Sequence, residues 1–197
     1  KPHDTLDQQK YIVVRRLGSG HFADVHLVAR TNRGAPNDTQ HARAAKVQKA
    51  ARLFAEAAES ELEILERVSR ARKRRPSAAA FVVELDDHFV HHGPNGKHHV
   101  LVFNVLGPSL LSLIRRTGYA GLRLSTVRLL ASCLLSGLDF LHRDAGVIHT
   151  DLKPENVLAT LSAAEAAGLA LEARRVCEAA SADRRAAREA AAGKQTA

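Results

Sequence analysis

The sequence contains no methionine and no tryptophan, and it has only two cysteines and few aromatic residues. Because an initiator residue is absent, we expect the chain to be a piece of a longer protein. Cys133 and Cys177 lie in helix-like segments, which argues for a reducing compartment and against a disulfide framework or a zinc cluster. Apolar runs are short and are expected to fall below the roughly 20 residues that span a bilayer. The start of the chain has no charged and apolar regions typical of a secretory signal.

Acidic residues are fewer than basic ones, and the net charge is +8. The basic residues form two runs, which are Arg67, Arg70, Arg72, Lys73, Arg74 and Arg75, and Arg174, Arg175, Arg184, Arg185 and Arg188. Such a balance is compatible with binding of nucleic acid or another polyanion. Solvated surface is the favoured interpretation, because no aromatic residues interleave the charges as they do in single-strand binders.

The hydrophobic pattern predicts a β-rich unit followed by helices. Strands are predicted at Tyr11–Val14, His26–Ala29, Ala42–Val47, Phe81–Leu85 and Val100–Val105, and helices at Phe54–Ser69, Gly107–Leu113 and Ser125–His142. The Asn95-Gly96 pair is typical of a tight hairpin turn between the last two strands. After Thr160 the chain is rich in alanine and arginine. We expect a low-complexity extension there that forms at most one marginal helix and has little to bury.

A glycine loop separates the first two predicted strands. Gly18 and Gly20 are one residue apart, which lets the backbone approach a phosphate closely with its amide groups aimed at it. Alone this pattern is weak evidence, since many hairpins contain it. A dinucleotide-binding fold would need a helix directly after the glycines, whereas Val25–Val28 continues as a strand.

Lys46 and Glu61 form a candidate ion pair between a strand and a helix. Lys46 lies on the third predicted strand, and Glu61 lies beside the apolar stripe of the following helix. An inward carboxylate needs a partner, because burying it unpaired is expensive. A surface glutamate at the edge of the stripe is the alternative, and only the neighbouring motifs favour the ion pair.

The stretch from His149 to Leu158 carries most of the polar chemistry. It contains Asp151, Lys153 two residues later and Asn156 three residues after that. Phosphoryl transfer to a hydroxyl uses these types: a carboxylate accepts the proton, a cation balances the phosphate charge and an oxygen ligand helps to hold Mg²⁺. This pattern, after a glycine loop and a lysine in the right order, is highly specific.

These motifs resemble the catalytic domain of eukaryotic protein kinases over about residues 8–160. The resemblance implies that Asp151 is the catalytic base, Lys153 contacts phosphate and Asn156 binds Mg²⁺. It also implies that Lys46 and Glu61 form the strand–helix ion pair. The implied ATP-binding residues are Leu17, Gly18, Ser19, Gly20, His21, Phe22, Val25, Ala44, Lys46, Glu61, Phe103, Asn104, Leu106 and Leu158.

Within that set the resemblance implies particular positions around the adenine. Leu17 and Val25 are expected above the ring, with Ala44 beside it and Leu158 below it. Phe103 has the gatekeeper position. Backbone groups of Asn104 and Leu106, in the hinge, are expected to meet the adenine edge.

Finer detail resembles the SR protein kinases, which phosphorylate arginine/serine-rich proteins. The loop 17–25 contains Gly-His-Phe, the stretch 85–89 reads Leu-Asp-Asp-His-Phe, and Thr150 stands where most kinases have arginine. Thr150 cannot pair with a phosphorylated activation loop as that arginine does. The resemblance implies ATP and Mg²⁺ as cofactors, Arg/Ser-rich protein substrates and a cytoplasmic and nuclear location. It implies no membrane contact and only an indirect link to nucleic acid, and a monomer is the default expectation.

The expected fold is α+β and protein-kinase-like, with a complete small lobe and the beginning of a helical large lobe. The small lobe and hinge are assigned to residues 8–106, as a five-stranded antiparallel sheet with one helix, helix C. The start of the large lobe with the catalytic loop is assigned to 107–160, and the extension to 161–197, as the start of a spacer insert. No Asp-Phe-Gly triplet occurs in the sequence. A truncated, inactive ATP-binding scaffold and a non-enzymatic nucleic-acid-binding protein therefore stay open as alternatives.

Histidines crowd the predicted hairpin. They are His88, His91, His92, His98 and His99. Ordinary exposed histidines are favoured over a zinc site, because no cysteine or carboxylate set completes a ligand shell.

Overall fold

The part of the chain that the structure describes contains one antiparallel sheet and four α-helices. The structure, a computed structural model, describes residues 3–31, 41–50 and 52–193. The strands are β1 (Thr5–Leu6), β2 (Tyr11–Ser19), β3 (Ala23–Arg30), β4 (Ala42–Gln48), β5 (Leu85–Gly93) and β6 (Gly96–Asn104). The helices are α1 (Arg52–Arg74), α2 (Leu110–Arg116), α3 (Leu124–Asp139) and α4 (Ala163–Gly193). The expected α+β order, with a sheet and one helix before a helical part, is confirmed.

The sheet has the strand order β1-β2-β3-β4-β6-β5, and every pairing is antiparallel. Four of these strands match predicted ones. The prediction of a strand at Phe81–Leu85 is wrong, because Ala78–Phe81 form a short 3-10 turn and β5 begins at Leu85 and continues to Gly93, which pairs with Gly96 at the hairpin turn. The additional strand, β1, has two residues and pairs through Thr5 with Ile12 and through Leu6 with Tyr11. A two-residue strand is too short for alternation to reveal it in a sequence.

The outer face of the sheet carries an apolar cluster, and the side chains reach it by the alternation of strand residues. The Tyr11 and Phe89 rings stack there with centroids 5.7 Å apart. Beside the cluster, the nearly buried guanidinium groups of Arg30 and Arg43 both bind one carboxylate oxygen of Asp86. This network joins β3, β4 and β5. The cluster consists of Leu6, Tyr11, Val13, Val28, Ala45, Val100 and Val102.

A second cluster connects α1 to the end of α3. Val68 and Ala71 of α1 pack with Phe140 and Leu141, which follow α3 in a widened helical turn, Phe140–Ala145. Gly146 ends that turn with a φ of 63°, a left-handed conformation that glycine adopts without strain. The outer side of α3 is uncovered, as expected for the beginning of a large lobe, since Leu124, Leu129 and Leu135 are each about two thirds exposed.

The segment Leu124–Ala145 is, within the residues that the structure describes, the one stretch long and apolar enough to cross a membrane, with a mean hydropathy of 1.5. The expectation that no stretch has this length is therefore wrong. Part of this segment nevertheless packs against other residues of the chain. A Cβ added at Gly137 would lie 3.3 Å from the Phe81 carbonyl oxygen, and Phe140 and Leu141 are buried. These contacts attach one side of the segment to the rest of the chain, and 17% of its most apolar window is buried.

The alanine-rich segment forms α4, and it packs on the sheet. The helix begins with a capping box, because the Ser162 backbone N–H donates to Glu165 Oε2 at 2.9 Å and the Glu165 N–H donates to Ser162 Oγ at 3.3 Å. The hydroxyl and N–H of Ser162 also lower the pKa of the Glu165 carboxyl.

A helical stripe of small and apolar residues fixes α4 to β2, β3 and β4. Ala173 is fully buried against Val14, Leu27, Ala29 and Ala42, and its neighbours in the stripe are Leu169, Val176 and Cys177. Arg15 Nε donates to Glu172 Oε1 at 2.8 Å at the edge of the contact. The expectation that this segment has little to bury is thus corrected, because alanine at position 173 lets the helix approach the sheet closely.

An aspartate at position 173 is expected to release α4 from the sheet, because a carboxylate buried there has no partner. Trypsin, which cuts after the arginines of α4, should then cleave the helix roughly tenfold faster than in the parent chain. Ala179→Asp is the matched control, since residue 179 is exposed on the same helix and the substitution has the same helix-propensity cost. Equal cleavage of the two variants would contradict the docking of α4.

Candidate active site

The glycine loop is a tight turn at the end of the β2–β3 hairpin, whose register shifts between Val13 and Arg15 and again between Arg16 and Gly18. Gly18 pairs with Val25 and Ser19 with Asp24, and the Gly20 N–H donates to the Ala23 carbonyl at 2.8 Å. The strand–turn–strand prediction is therefore confirmed. Ser19, opposite Asp24 in the hairpin, lowers the pKa of the Asp24 carboxyl.

The predicted ion pair forms between β4 and α1. Lys46 Nζ donates to both carboxylate oxygens of Glu61, at 2.6 and 2.7 Å. Both side chains are about one third exposed, so the pair lies at the edge of the core. Sequence reasoning missed a third member, Gln48, whose side-chain N–H donates to Glu61 Oε2 at 3.1 Å. Gln48 is buried, and it holds the carboxylate that orients Lys46.

Strand register brings the other small-lobe candidates next to this pair. Val25 on β3 lies opposite Lys46, and Ala44 lies between Leu27 on β3 and Phe103 on β6. Asn104 ends β6 and pairs with Arg43. Val25, Ala44 and Lys46 therefore share one region of the sheet, as the implied adenine and phosphate positions require.

Backbone pairing joins the segment after the hinge to the segment after the catalytic loop. Gly107 N–H donates to the Ala159 carbonyl at 2.8 Å, and Leu110 N–H donates to the Val157 carbonyl at 2.7 Å. Leu158 forms a bridge with Ser109 between these bonds, and its side chain is 48% exposed. Leu17 on the small lobe is 39% exposed, so each side of the hinge offers an apolar side chain for contact with a ring.

The catalytic-loop candidates form a compact polar cluster. Lys153 Nζ lies 2.8 Å from Asp151 Oδ2, and Asn156 Nδ2 donates to the Asp151 carbonyl oxygen and to its Oδ2, each at 2.9 Å. Thr150 has a φ of 61°, which turns the chain between His149 and Asp151. Lys153, with help from Asn156, lowers the pKa of the Asp151 carboxyl, and Asp151 raises the pKa of Lys153.

This cluster fits a divalent cation at Asn156. The two N–H groups of the Asn156 amide are used in the contacts to Asp151, which leaves its Oδ1 atom to bind a cation. An amide oxygen is a suitable ligand for Mg²⁺, which prefers oxygen donors.

Arginines of the first basic run connect α1 to the turn after α3. Arg67 donates to the Gly146 carbonyl at 2.8 Å, Arg74 donates to the Asp144 carbonyl at 3.1 Å, and Arg75 binds both Asp144 carboxylate oxygens. Sequence reasoning assigned this run to solvated surface and missed these contacts. They hold the helix that carries Glu61 against the part of the chain that precedes the catalytic loop.

The histidine-rich hairpin places two of its rings opposite each other across the strands. His91 and His98 oppose each other across β5 and β6 with ring centroids 6.5 Å apart, and His98 Nδ1 lies 2.8 Å from the Gln48 carbonyl oxygen. Over the described ranges, no group of three or more histidine, cysteine or acidic residues is arranged to hold a metal ion.

Comparison with known proteins decides the family. Residues 11–167 match the family model described as the protein kinase domain. This chain belongs to the protein kinase family. A solved crystal structure of a kinase domain has the same fold, with a TM-score of 0.69 and 27% identity over 82% of this chain and 42% of that one. The expected kinase-like fold is thereby confirmed.

The predicted resemblance to SR protein kinases is also confirmed. This kinase chain is 44% identical over 151 residues to the serine/threonine-protein kinase SKY1 of Saccharomyces cerevisiae, covering 76% of the chain and 20% of that protein. It is 41% identical over 151 residues to the kinase SRPK of Physarum polycephalum, covering 77% of this chain and 34% of that protein. The SRSF protein kinase 3 of Mus musculus is 39% identical to this chain over 166 residues, which cover 83% of this chain and 28% of that protein. The chain thus spans about a fifth to a third of the length of these relatives.

Proposed function

We propose that this kinase chain is the nucleotide-binding and catalytic-loop portion of a serine/threonine kinase that transfers the γ-phosphate of ATP to serine in Arg/Ser-rich proteins. The observation that carries the proposal is the cluster in which Lys153 and Asn156 both hold the Asp151 carboxylate. An ionised carboxylate fixed in this way can accept the proton of a substrate hydroxyl and aim its oxygen.

Each remaining residue has a separate task in this proposal. Lys46, held by Glu61, binds the α- and β-phosphates. Lys153 balances charge on the phosphate in transfer, and Asn156 holds Mg²⁺ through Oδ1. When bound, Mg²⁺ neutralises charge that develops on the phosphate oxygens. Leu17, Gly18, Ser19, Gly20, His21, Phe22, Val25, Ala44, Phe103, Asn104, Leu106 and Leu158 are proposed to contact the nucleotide.

Substrate, cellular site and assembly extend the proposal beyond this chain. The preference for Arg/Ser-rich proteins is supported by the likeness to kinases named for SR proteins. We further propose a monomer that acts in the cytoplasm and nucleus, without membrane contact and with only an indirect link to nucleic acid. The boundaries at residues 106 and 160, and a spacer beginning at 161, are part of the same proposal.

A basic nucleic-acid-binding protein is the competing function from another class. The contacts of the first basic run weigh against it, because Arg67, Arg74 and Arg75 bind carbonyl and carboxylate groups of the chain itself. A truncated ATP-binding scaffold, the other alternative, would have the same nucleotide site as the kinase but would not transfer the γ-phosphate.

The purified 197-residue chain is expected to bind MgATP but to transfer no measurable γ-phosphate, because the sequence lacks the Asp-Phe-Gly aspartate that completes the Mg²⁺ site. Calorimetric titration with MgATP and a radiolabel assay with an Arg/Ser repeat peptide measure the two properties. Absence of ATP binding would contradict the kinase proposal, and transfer by the isolated chain would contradict the assignment of an incomplete site. An Asp-Phe-Gly encoded beyond residue 197 would favour the kinase over the scaffold.

A further inference from the structure

Lys49, one residue beyond β4, binds the tip of the glycine loop. Its Nζ donates to the Gly20 carbonyl at 3.0 Å and to the His21 carbonyl at 2.9 Å, and its backbone N–H donates to the Phe22 carbonyl at 3.0 Å. One residue therefore holds three consecutive carbonyl groups of the turn. An ammonium group suits this task because it offers three donors and no acceptor.

These contacts fix the direction of the loop amides. In a trans peptide the C=O of one residue and the N–H of the next point in opposite directions, and no cis peptide occurs in the residues described. With the Gly20 and His21 carbonyls turned to Lys49, the N–H groups of His21 and Phe22 point away from Lys49.

Strand alternation tells which side of the sheet those amides face. Lys46 and Gln48 both reach Glu61, so their side chains lie on one face of β4. Lys49 follows directly, and its backbone N–H continues the pairing with the β3 side through the Phe22 carbonyl, so that by alternation its side chain lies on the opposite face. The amides that point away from Lys49 are thus directed to the face that carries Lys46.

Aromatic packing fixes the tip from the other side. The Phe54 ring of α1 meets the Phe22 ring edge-to-face with centroids 5.5 Å apart and the His21 ring with centroids 6.2 Å apart. Phe22 is otherwise 57% exposed, so Phe54 is a substantial part of its environment. The helix that carries Glu61 therefore also supports the glycine loop.

We propose that Lys49 is a positioning residue that turns the His21 and Phe22 amides toward the polyphosphate of a nucleoside triphosphate. This inference rests on the proposed nucleotide-binding function. Lys49 itself does not touch the ligand. It binds the carbonyl ends of the peptides whose N–H ends would meet the phosphate, so its loss affects phosphate contacts and spares contacts to the base.

The variants Lys49→Met and Lys49→Arg separate the charge of the side chain from its length. In calorimetric titrations of the 197-residue chain, Lys49→Met is expected to weaken MgATP binding about 3- to 10-fold, because charge-assisted hydrogen bonds to two carbonyls are lost at an exposed site. Adenosine affinity should change less than about twofold, and Lys49→Arg should regain most of the MgATP affinity. The control is Lys97→Met, a change at an exposed lysine of the β5–β6 hairpin.

A second measurement needs no nucleotide. Backbone amide relaxation of the ligand-free chain should give order parameters near about 0.85 for His21 and Phe22, falling below about 0.6 in Lys49→Met only. Unchanged order parameters would overturn the inference, as would an equal loss of adenosine and MgATP affinity. If the parent chain bound no MgATP, the proposed function and the phosphate-directing role of Lys49 would both fall, and retained loop ordering would identify its contacts as structural only.

Discussion

Replacing Lys46 by methionine is expected to weaken MgATP binding of the 197-residue chain about 10- to 100-fold. The ammonium group is held between the two oxygens of Glu61 and is the cation assigned to the α- and β-phosphates. Hydrogen bonds that involve charged groups contribute about 1.5 to 3 kcal/mol, and about 1.4 kcal/mol corresponds to a factor of ten in affinity. Methionine keeps most of the length and apolar stem, so calorimetry isolates the charge.

A double-mutant cycle tests whether Glu61 acts through Lys46. Glu61→Ala should also weaken MgATP binding, and the combined variant should bind no more weakly than Lys46→Met alone, because residues that act as a unit are not additive. Lys73→Met, at an exposed position near the end of α1, serves as the matched control. Additive losses in the cycle would show that Glu61 supports binding by a route independent of Lys46.

Removing the Asp86 carboxylate is expected to lower the free energy of unfolding by about 2 to 3 kcal/mol. Arg30 and Arg43 are among the few buried charged residues described, and both donate to Asp86 Oδ2. Alanine at position 86 would leave two nearly buried guanidinium groups without this partner, and the loss of one member of a buried ion pair is strongly destabilising. Because Asp86 is itself a quarter exposed, water would offset part of the loss.

Urea denaturation followed by circular dichroism measures this change, with Asp183→Ala on the exposed side of α4 as the control. Asp86→Asn separates charge from hydrogen bonding, since the amide oxygen can still accept from the arginines. We expect its effect to lie between those of the alanine variant and the parent chain. A midpoint for Asp86→Ala equal to that of the control would refute a stabilising role for the network.

The catalytic-loop cluster could be predicted because its members are close in sequence. Asp151, Lys153 and Asn156 lie within six residues, so one loop conformation brings them together whatever surrounds it. Lys46 and Glu61 are 15 residues apart; the helical period placed Glu61 beside the apolar stripe, and the neighbouring motifs favoured the ion pair over a surface glutamate. Gln48 was not predicted, because a glutamine on a strand has no distinctive sequence pattern. Its role follows only from its contact with Glu61.

Contacts between distant segments were not predictable in the same way. Arg67 and Gly146 are 79 residues apart, and a run of arginines has the same composition whether it is solvated or bound to carbonyl groups. The stripe of α4 was present in the sequence at positions 169, 173, 176 and 177. The alanine at its centre gives little hydrophobic signal, and its close packing on β2 and β3 depends on the shape of both surfaces.

The order and spacing of residue types along the chain carried the resemblance to protein kinases and predicted the strand–turn–strand glycine loop and the catalytic-loop cluster, because each motif depends on local backbone geometry and side-chain chemistry. Folding in three dimensions settled which basic residues bind the chain itself, which surface α4 covers and how Lys49 holds the loop. Those outcomes depend on packing between segments far apart in sequence, where shape and burial select one partner among many of similar chemistry.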